Sequence, residues 1–238
     1  MQLDHNRHGL VIAGRSGSGK TSYLARYLRG AAARVRFVFD PDGPLTMRLG
    51  AHSSAIAWDP VGMVDRLGSG WVIYNPSRMF PGDNRAGFDF FARWAWNVCG
   101  KMPGRKIFAS DEIQKWVPPT GAAGEGCALV MDTGRQHGLD SAFIAQGGNR
   151  VHEMIRAQTT ELVTFQLVSP RGLEWPGDLG LDLGEIRSLG KGEFIAFDLE
   201  GGGKHRGNLF GVQRREKGGI PQTAPARNGA KAKRKHAS

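Results

Sequence analysis

The most constraining stretch of this chain is residues 14–21, Gly-Arg-Ser-Gly-Ser-Gly-Lys-Thr, directly preceded by the apolar run Leu10-Val11-Ile12-Ala13. A G-x-x-x-x-G-K-[ST] pattern set between a buried strand and an amphipathic helix specifies a phosphate-binding loop. Gly14, Gly17 and Gly19 let the backbone curl so that successive N–H groups converge on phosphate oxygens. Arg15, Ser16, Ser18 and Ser22 lie in or beside the same loop and complete its candidate nucleotide contacts. Lys20 brings a mobile positive charge for β- and γ-phosphates, and the Thr21 hydroxyl is placed to ligate Mg²⁺. The helix beginning near Thr21 carries Tyr23, Leu24, Tyr27 and Leu28 on one face. Its positive dipole end points at the same anion.

At 238 residues the chain is long enough to bury a proper core, and one α/β domain with appendages is the expectation. Thirty-five glycines favour tight turns over long helices. A net charge of +10 points to a polyanionic partner. The last twelve residues hold five basic side chains (Arg227, Lys231, Lys233, Arg234, Lys235) and no acid, so about half of the excess lies elsewhere. The run 231–235 reads either as a non-specific phosphate-binding tail or as a solubilising one. Cys99 and Cys127 have neither metal spacing nor a disulfide framework, which fits a reducing cytoplasm. No signal peptide is visible, and no apolar run reaches eighteen residues; a soluble protein, at most peripheral to a membrane, is expected.

Strands and helices alternate along the chain. Strands are expected at 9–13, 35–40, 55–58, 71–74, 106–110, 141–146 and 161–168, and helices at 21–33, 63–67, 88–99, 127–137 and 150–157. This order implies an α/β fold with a mostly parallel central sheet and helices on both faces. After Pro170 the pattern is obscure, apart from a strand at 194–197 in a possible edge hairpin with 207–212. From Gly218 onward, Gly, Pro, Ala and Lys dominate and disorder is expected. Trp94 and Trp96 fall on the aromatic helix and read as core. Trp116 reads as an exposed loop tryptophan able to report on nucleotide state, and His137 as a surface histidine. His152-Glu153 lacks the second histidine of a zinc motif.

Ile107-Phe108-Ala109-Ser110-Asp111-Glu112 is an apolar strand delivering two adjacent carboxylates. In that geometry Asp111 holds Mg²⁺ opposite Thr21, and Glu112 can polarise a water for in-line attack on a γ-phosphate. A phosphotransferase acting on a small molecule has no use for a water-activating base, so the pair argues for ATP hydrolysis. A third segment, Gly134-Arg135-Gln136-His137-Gly138-Leu139-Asp140, leads into a strand ending at Gln146. Strand ends of a parallel sheet converge on the ligand, which makes Gln146 a candidate orienting or sensing group.

With these segments the chain resembles the FtsK–HerA superfamily of ring-forming DNA-pumping ATPases, and within it the genome-packaging ATPases of membrane-containing icosahedral phages. The likeness rests on Gly14–Thr21, Asp111-Glu112, Arg135-x-x-Gly138-Leu139, the strand ending at Gln146, and Phe37-Val38-Phe39-Asp40-Pro41. It covers roughly residues 8–200 and is RecA-like in fold. Where the family usually has a proline after the glutamine, this chain has Gly147-Gly148-Asn149-Arg150. The resemblance implies a motor domain at 1–200, acting in the host cytoplasm or associated with a virion; a β extension at 201–217 and a disordered basic tail at 218–238 are read from the residues themselves. The resemblance also implies a hexameric or similar ring acting on double-stranded DNA, ATP and Mg²⁺ as cofactors, and portal or membrane proteins of a viral vertex as further partners. An arginine from one subunit would reach its neighbour's γ-phosphate; Arg135 best matches that role and Arg150 is second. A filamentous-phage assembly ATPase of the Zot type shares the Arg-x-x-Gly-Leu-Asp…Gln pattern, but such proteins usually carry a membrane span. A nucleoside kinase and a nucleic-acid-binding protein with a degenerate site are the other readings.

Overall fold

The computed structural model describes residues 8–211; the expected basic tail, the segment before His8 and the end of the expected hairpin at Val212 lie outside them. In chain order the elements are β1 (Gly9–Ala13), α1 (Lys20–Gly30), β2 (Val35–Phe39), α2 (Pro44–Leu49), β3 (Ile56–Ala57), α3 (Pro60–Arg66), β4 (Trp71–Tyr74), α4 (Asn84–Cys99) and β5 (Lys106–Ser110). They continue with α5 (Glu125–Ala128), β6 (Leu139–Ala145), α6 (Glu153–Ala157), β7 (Glu161–Thr164), α7 (Pro170–Asp178), α8 (Leu183–Ser188), β8 (Glu193–Asp198) and β9 (Lys204–Asn208). Among the described residues the strands form one sheet in the order β3-β4-β2-β5-β6-β1-β7-β8-β9. Every pairing from β3 to β7 is parallel, and β8 and β9 close one edge antiparallel.

The central strands are unbroken apolar runs because both faces of the sheet are covered. Side chains alternate between two cores. Leu10 and Ile12 of β1 join Tyr23, Leu24 and Leu28 of α1 on one face. Val11 and Ala13 face the α4 side with Phe37, Phe39, Phe108 and Phe143. Phe91 of α4, with no exposed surface, is the hub of that second core: it meets Phe37, Phe39, Tyr74, Trp94 and Phe108. Replacing Phe91 with Ala leaves a cavity that surrounding rings cannot fill, and is expected to cost about 3–5 kcal/mol. A fall in the denaturant midpoint at unchanged slope measures it; a shift equivalent to under about 1 kcal/mol would show that the core recloses.

The structure revises several expected elements. The helix expected at 127–137 is a short α5 that widens into a π-turn over Leu129–Thr133 and tightens into a 3₁₀ turn over Gly134–His137. Thr133 Oγ1 bonds back to the Leu129 carbonyl at 2.9 Å and receives the indole N–H of Trp96 at 2.9 Å, which diverts the regular ladder. The helix expected at 150–157 begins only at Glu153, capped by the His152 ring, which accepts from Met154 N at 3.1 Å; Arg150 sits in the preceding 3₁₀ turn. α1 ends at Gly30 rather than near residue 33, and β7 ends at Thr164. The hairpin partner of β8 starts earlier than expected: Phe197 pairs with Lys204, across a turn in which Asp198 Oδ1 accepts from Glu200 N and Gly201 N. The stretch after Pro170 holds α7 and α8, started by Ser169 and Asp182 as N-caps.

Candidate functional site

The loops after β1, β2, β5 and β6 leave the sheet at its carboxyl edge and enclose a cleft of about 230 Å³. Parallel in-register pairing gathers these loops, because each strand ends level with its neighbour. The first wall is the glycine loop. A Cβ on Gly14 would stand 2.7 Å from Phe165 Cβ, so the backbone approach there admits only glycine. Gly19 starts α1 at φ 118, and a Cβ on it would stand 2.9 Å from Leu209 Cδ1. The loop is also tied to the segments flanking β7 and β8: Gly192 N donates to Ser18 O at 3.0 Å and Arg15 N to Gln166 O at 3.0 Å.

Lys20 is 8% exposed, and its amine folds back to donate to the Arg15 carbonyl at 2.9 Å. Burial pushes that amine below its ordinary pKa, partly offset by the negative charges of Asp111 and Glu112. The Thr21 hydroxyl donates to Asp111 Oδ2 at 2.9 Å. Asp111 Oδ1 accepts the backbone N–H of Glu112 at 2.8 Å; burial pushes its carboxyl up, against these bonds.

Glu112 has φ 48, the one non-glycine residue in the left-handed region among the described residues. Such backbone concentrates at functional sites, where surrounding structure enforces it. Its carboxylate is flanked by Gln146, whose Nε2 donates to Oε1, and by Lys115, whose amine pairs with Oε2. Burial alone would raise the Glu112 pKa, but the bonds from Lys115 and Gln146 hold it below the usual carboxylate range, so it is ionised at neutral pH. Gln146 in turn accepts from Arg150 at 3.1 Å.

Ser16, Gly17, Lys20, Thr21, Asp111, Glu112 and Gln146 therefore line one cleft. Ser22 faces a neighbouring groove with Arg29 and Met47. Arg150 is exposed at the rim beyond Gln146. Arg135 is elsewhere: it precedes β6, at the end of the sheet opposite the glycine loop. The six residue steps from Leu139 to Ala145 span roughly 20 Å, beyond the reach of an arginine side chain.

Sequence reasoning missed three residues in the cleft. Asp40, at the end of β2, is 4% exposed and accepts from Thr46 N and Oγ1 at 2.6 and 2.7 Å; burial pushes its carboxyl up. Asp42 binds the Lys115 amine at 2.8 Å. Hydrogen bonds to Asp42 and Glu112 raise the pKa of Lys115. The signal for the two acids was the Asp40-Pro41-Asp42-Gly43 strand end; Lys115 had none. Trp116 corrects an expectation: it is 8% exposed, its indole donates to the Asp111 carbonyl at 3.0 Å, and it forms the cleft floor rather than an exposed loop.

The oxygens of Thr21 and Asp111 are hard donors of the kind Mg²⁺ takes. Among the described residues no group of three or more His, Cys, Asp or Glu could hold a metal. A magnesium ion held by Thr21 and Asp111 would take its remaining ligands from water and phosphate oxygens.

No protein-family model matches the sequence, and no curated protein matches it. Solved structures do. The genome-packaging NTPase B204 from Sulfolobus turreted icosahedral virus 2, in complex with ATP-gammaS, aligns at TM-score 0.66 and 15% identity over 84% of this chain and 95% of that chain. The fold is that of a P-loop ATPase. B204 from Sulfolobus turreted icosahedral virus, a DNA-packaging ATPase, aligns at TM-score 0.59 and 17% identity over 87% and 98% of the two chains. VirB4 of Thermoanaerobacter pseudethanolicus aligns at 0.56 and 14% over 83% and 88%. At these identities the likeness is one of fold. Among the described residues no helix is long and apolar enough to cross a membrane.

Proposed function

We propose that the chain hydrolyses ATP as one subunit of a ring that drives viral double-stranded DNA into a preformed capsid. The observation that carries hydrolysis is the meeting of Thr21 with Asp111 at 2.9 Å beside an ionised Glu112. The loop N–H groups and Lys20 hold the β- and γ-phosphates. Thr21 and Asp111 would hold Mg²⁺, which would supply charge neutralisation at the phosphate oxygens. Glu112 accepts the proton of the attacking water, and Gln146 fixes the direction of its carboxylate. Arg150 steadies Gln146 through its 3.1 Å bond. Arg135 acts on the cleft of a neighbouring copy.

DNA as cargo is supported by the net charge of +10 and by the fold shared with viral genome-packaging NTPases over nearly their whole length. ATP turnover measured with and without kilobase-length double-stranded DNA tests this reading. Turnover is expected to rise several-fold with DNA and to lose that rise as salt is added. Equal turnover in both conditions would remove DNA translocation from the reading and leave an ATPase.

A further inference from the structure

Lys115 lies in the same cleft, where it pairs with Glu112 but has no assigned contact with the nucleotide. The left-handed backbone of Glu112 reverses the chain into a 3₁₀ turn over Ile113–Lys115, closed by Lys115 N donating to Glu112 O at 2.8 Å. Ile113 is fully buried and the Trp116 indole is bonded to Asp111, so the turn itself is fixed. What can move is the lysine side chain, 44% exposed, with its amine shared between Glu112 and Asp42. Half-exposed pairs of this kind exchange partners at little cost.

The charge of the lining gives that amine a second partner. Four carboxylates (Asp40, Asp42, Asp111, Glu112) face two amines, Lys20 and Lys115. A triphosphate adds several negative charges to this surplus, and Lys115 is the cation on the side of the cleft where Glu112 stands. We propose that Lys115 is a second phosphate-binding cation, which restrains Glu112 in the arrangement seen here and transfers to the γ-phosphate of bound ATP, leaving the Glu112 carboxylate to the attacking water. This rests on the ATP reading above and deepens it: the lysine lets the site distinguish a nucleoside triphosphate from a diphosphate.

The test compares binding of the non-hydrolysable analogue AMPPCP with binding of ADP, both with Mg²⁺, in the full chain and in Lys115→Gln and Lys115→Arg. Lys115→Gln is expected to weaken AMPPCP about tenfold, the scale of one lost charge-assisted bond, while ADP stays within about twofold. Lys115→Arg keeps the charge and is expected to restore AMPPCP to within about threefold. In steady state the Lys115→Gln loss is expected in KM rather than kcat, because once ATP is bound no lysine engages Glu112 in either protein. Retained ADP affinity shows that the variant folds. Asp42→Asn removes a competing carboxylate without touching Lys115 and is expected to tighten AMPPCP selectively. Equal weakening of both ligands in Lys115→Gln, or no weakening of either, overturns the proposal while the ATP reading stands. Wild-type protein that binds neither ligand overturns both.

Discussion

Replacing Glu112 with Gln is expected to lower ATP turnover by about 10²–10⁴-fold, the range removed with a general base. Nucleotide binding is expected to survive. The amide keeps an oxygen to accept from Gln146, adds no volume, and leaves the Thr21–Asp111 contact and Lys20 in place. What it removes is the ability to take a proton from water. Before ATP binds, Lys115 and Gln146 keep the wild-type carboxylate ionised at neutral pH against the effect of burial, so it meets the water as a base. Single-turnover hydrolysis alongside equilibrium binding separates the two outcomes. A variant that binds ATP and hydrolyses it within tenfold of wild type would strip Glu112 of its assigned role, and another route to water activation would have to be found.

How far this site could be read without the structure depends on how local each contact is. The glycine loop declares itself because strand, turn and helix are contiguous at residues 9–30, and glycine is required where Gly14 passes Phe165. Asp111 and Glu112 declare themselves because an apolar run delivers them to a strand end. Lys115 and Asp42 are 73 residues apart in sequence, and they meet because β2 and β5 are parallel neighbours. No periodicity encodes that. Trp116 misled for a related reason: a tryptophan in a polar loop reads as exposed, while its burial follows from the reversal at Glu112, a conformation that residue type does not announce. The pattern after Pro170 is obscure because α7 has one proline at its start and another, Pro176, inside it, where the missing N–H normally ends a helix. A proline in the first turn is tolerated, and the cap at Ser169 was the signal to trust.

Loss of Arg135 is expected to be as severe as loss of Glu112, but its signature differs. An arginine finger contributes about 10³–10⁵-fold, and Arg135→Ala is expected to fall in that range once subunits are assembled. The geometry forbids a contribution within one chain, because Arg135 lies before β6 at the opposite end of the sheet from Lys20. Arg150 is the contrasting case, bonded to Gln146 beside its own cleft. Complementation separates them. Arg135→Ala subunits keep Glu112, and Glu112→Gln subunits keep Arg135; each alone is expected to be nearly inactive. Mixed rings place an intact arginine against an intact cleft at a fraction of their interfaces, so turnover is expected to reappear on mixing and to peak near equal proportions. Arg150→Ala mixed with Glu112→Gln is expected to recover nothing, since both changes act within one chain. Mixtures of Arg135→Ala and Glu112→Gln that stay silent, in rings shown to exchange subunits, would refute a trans role for Arg135. The residue would then be an exposed side chain at the far end of the sheet, and the neighbour's contribution to the cleft would have to come from another arginine.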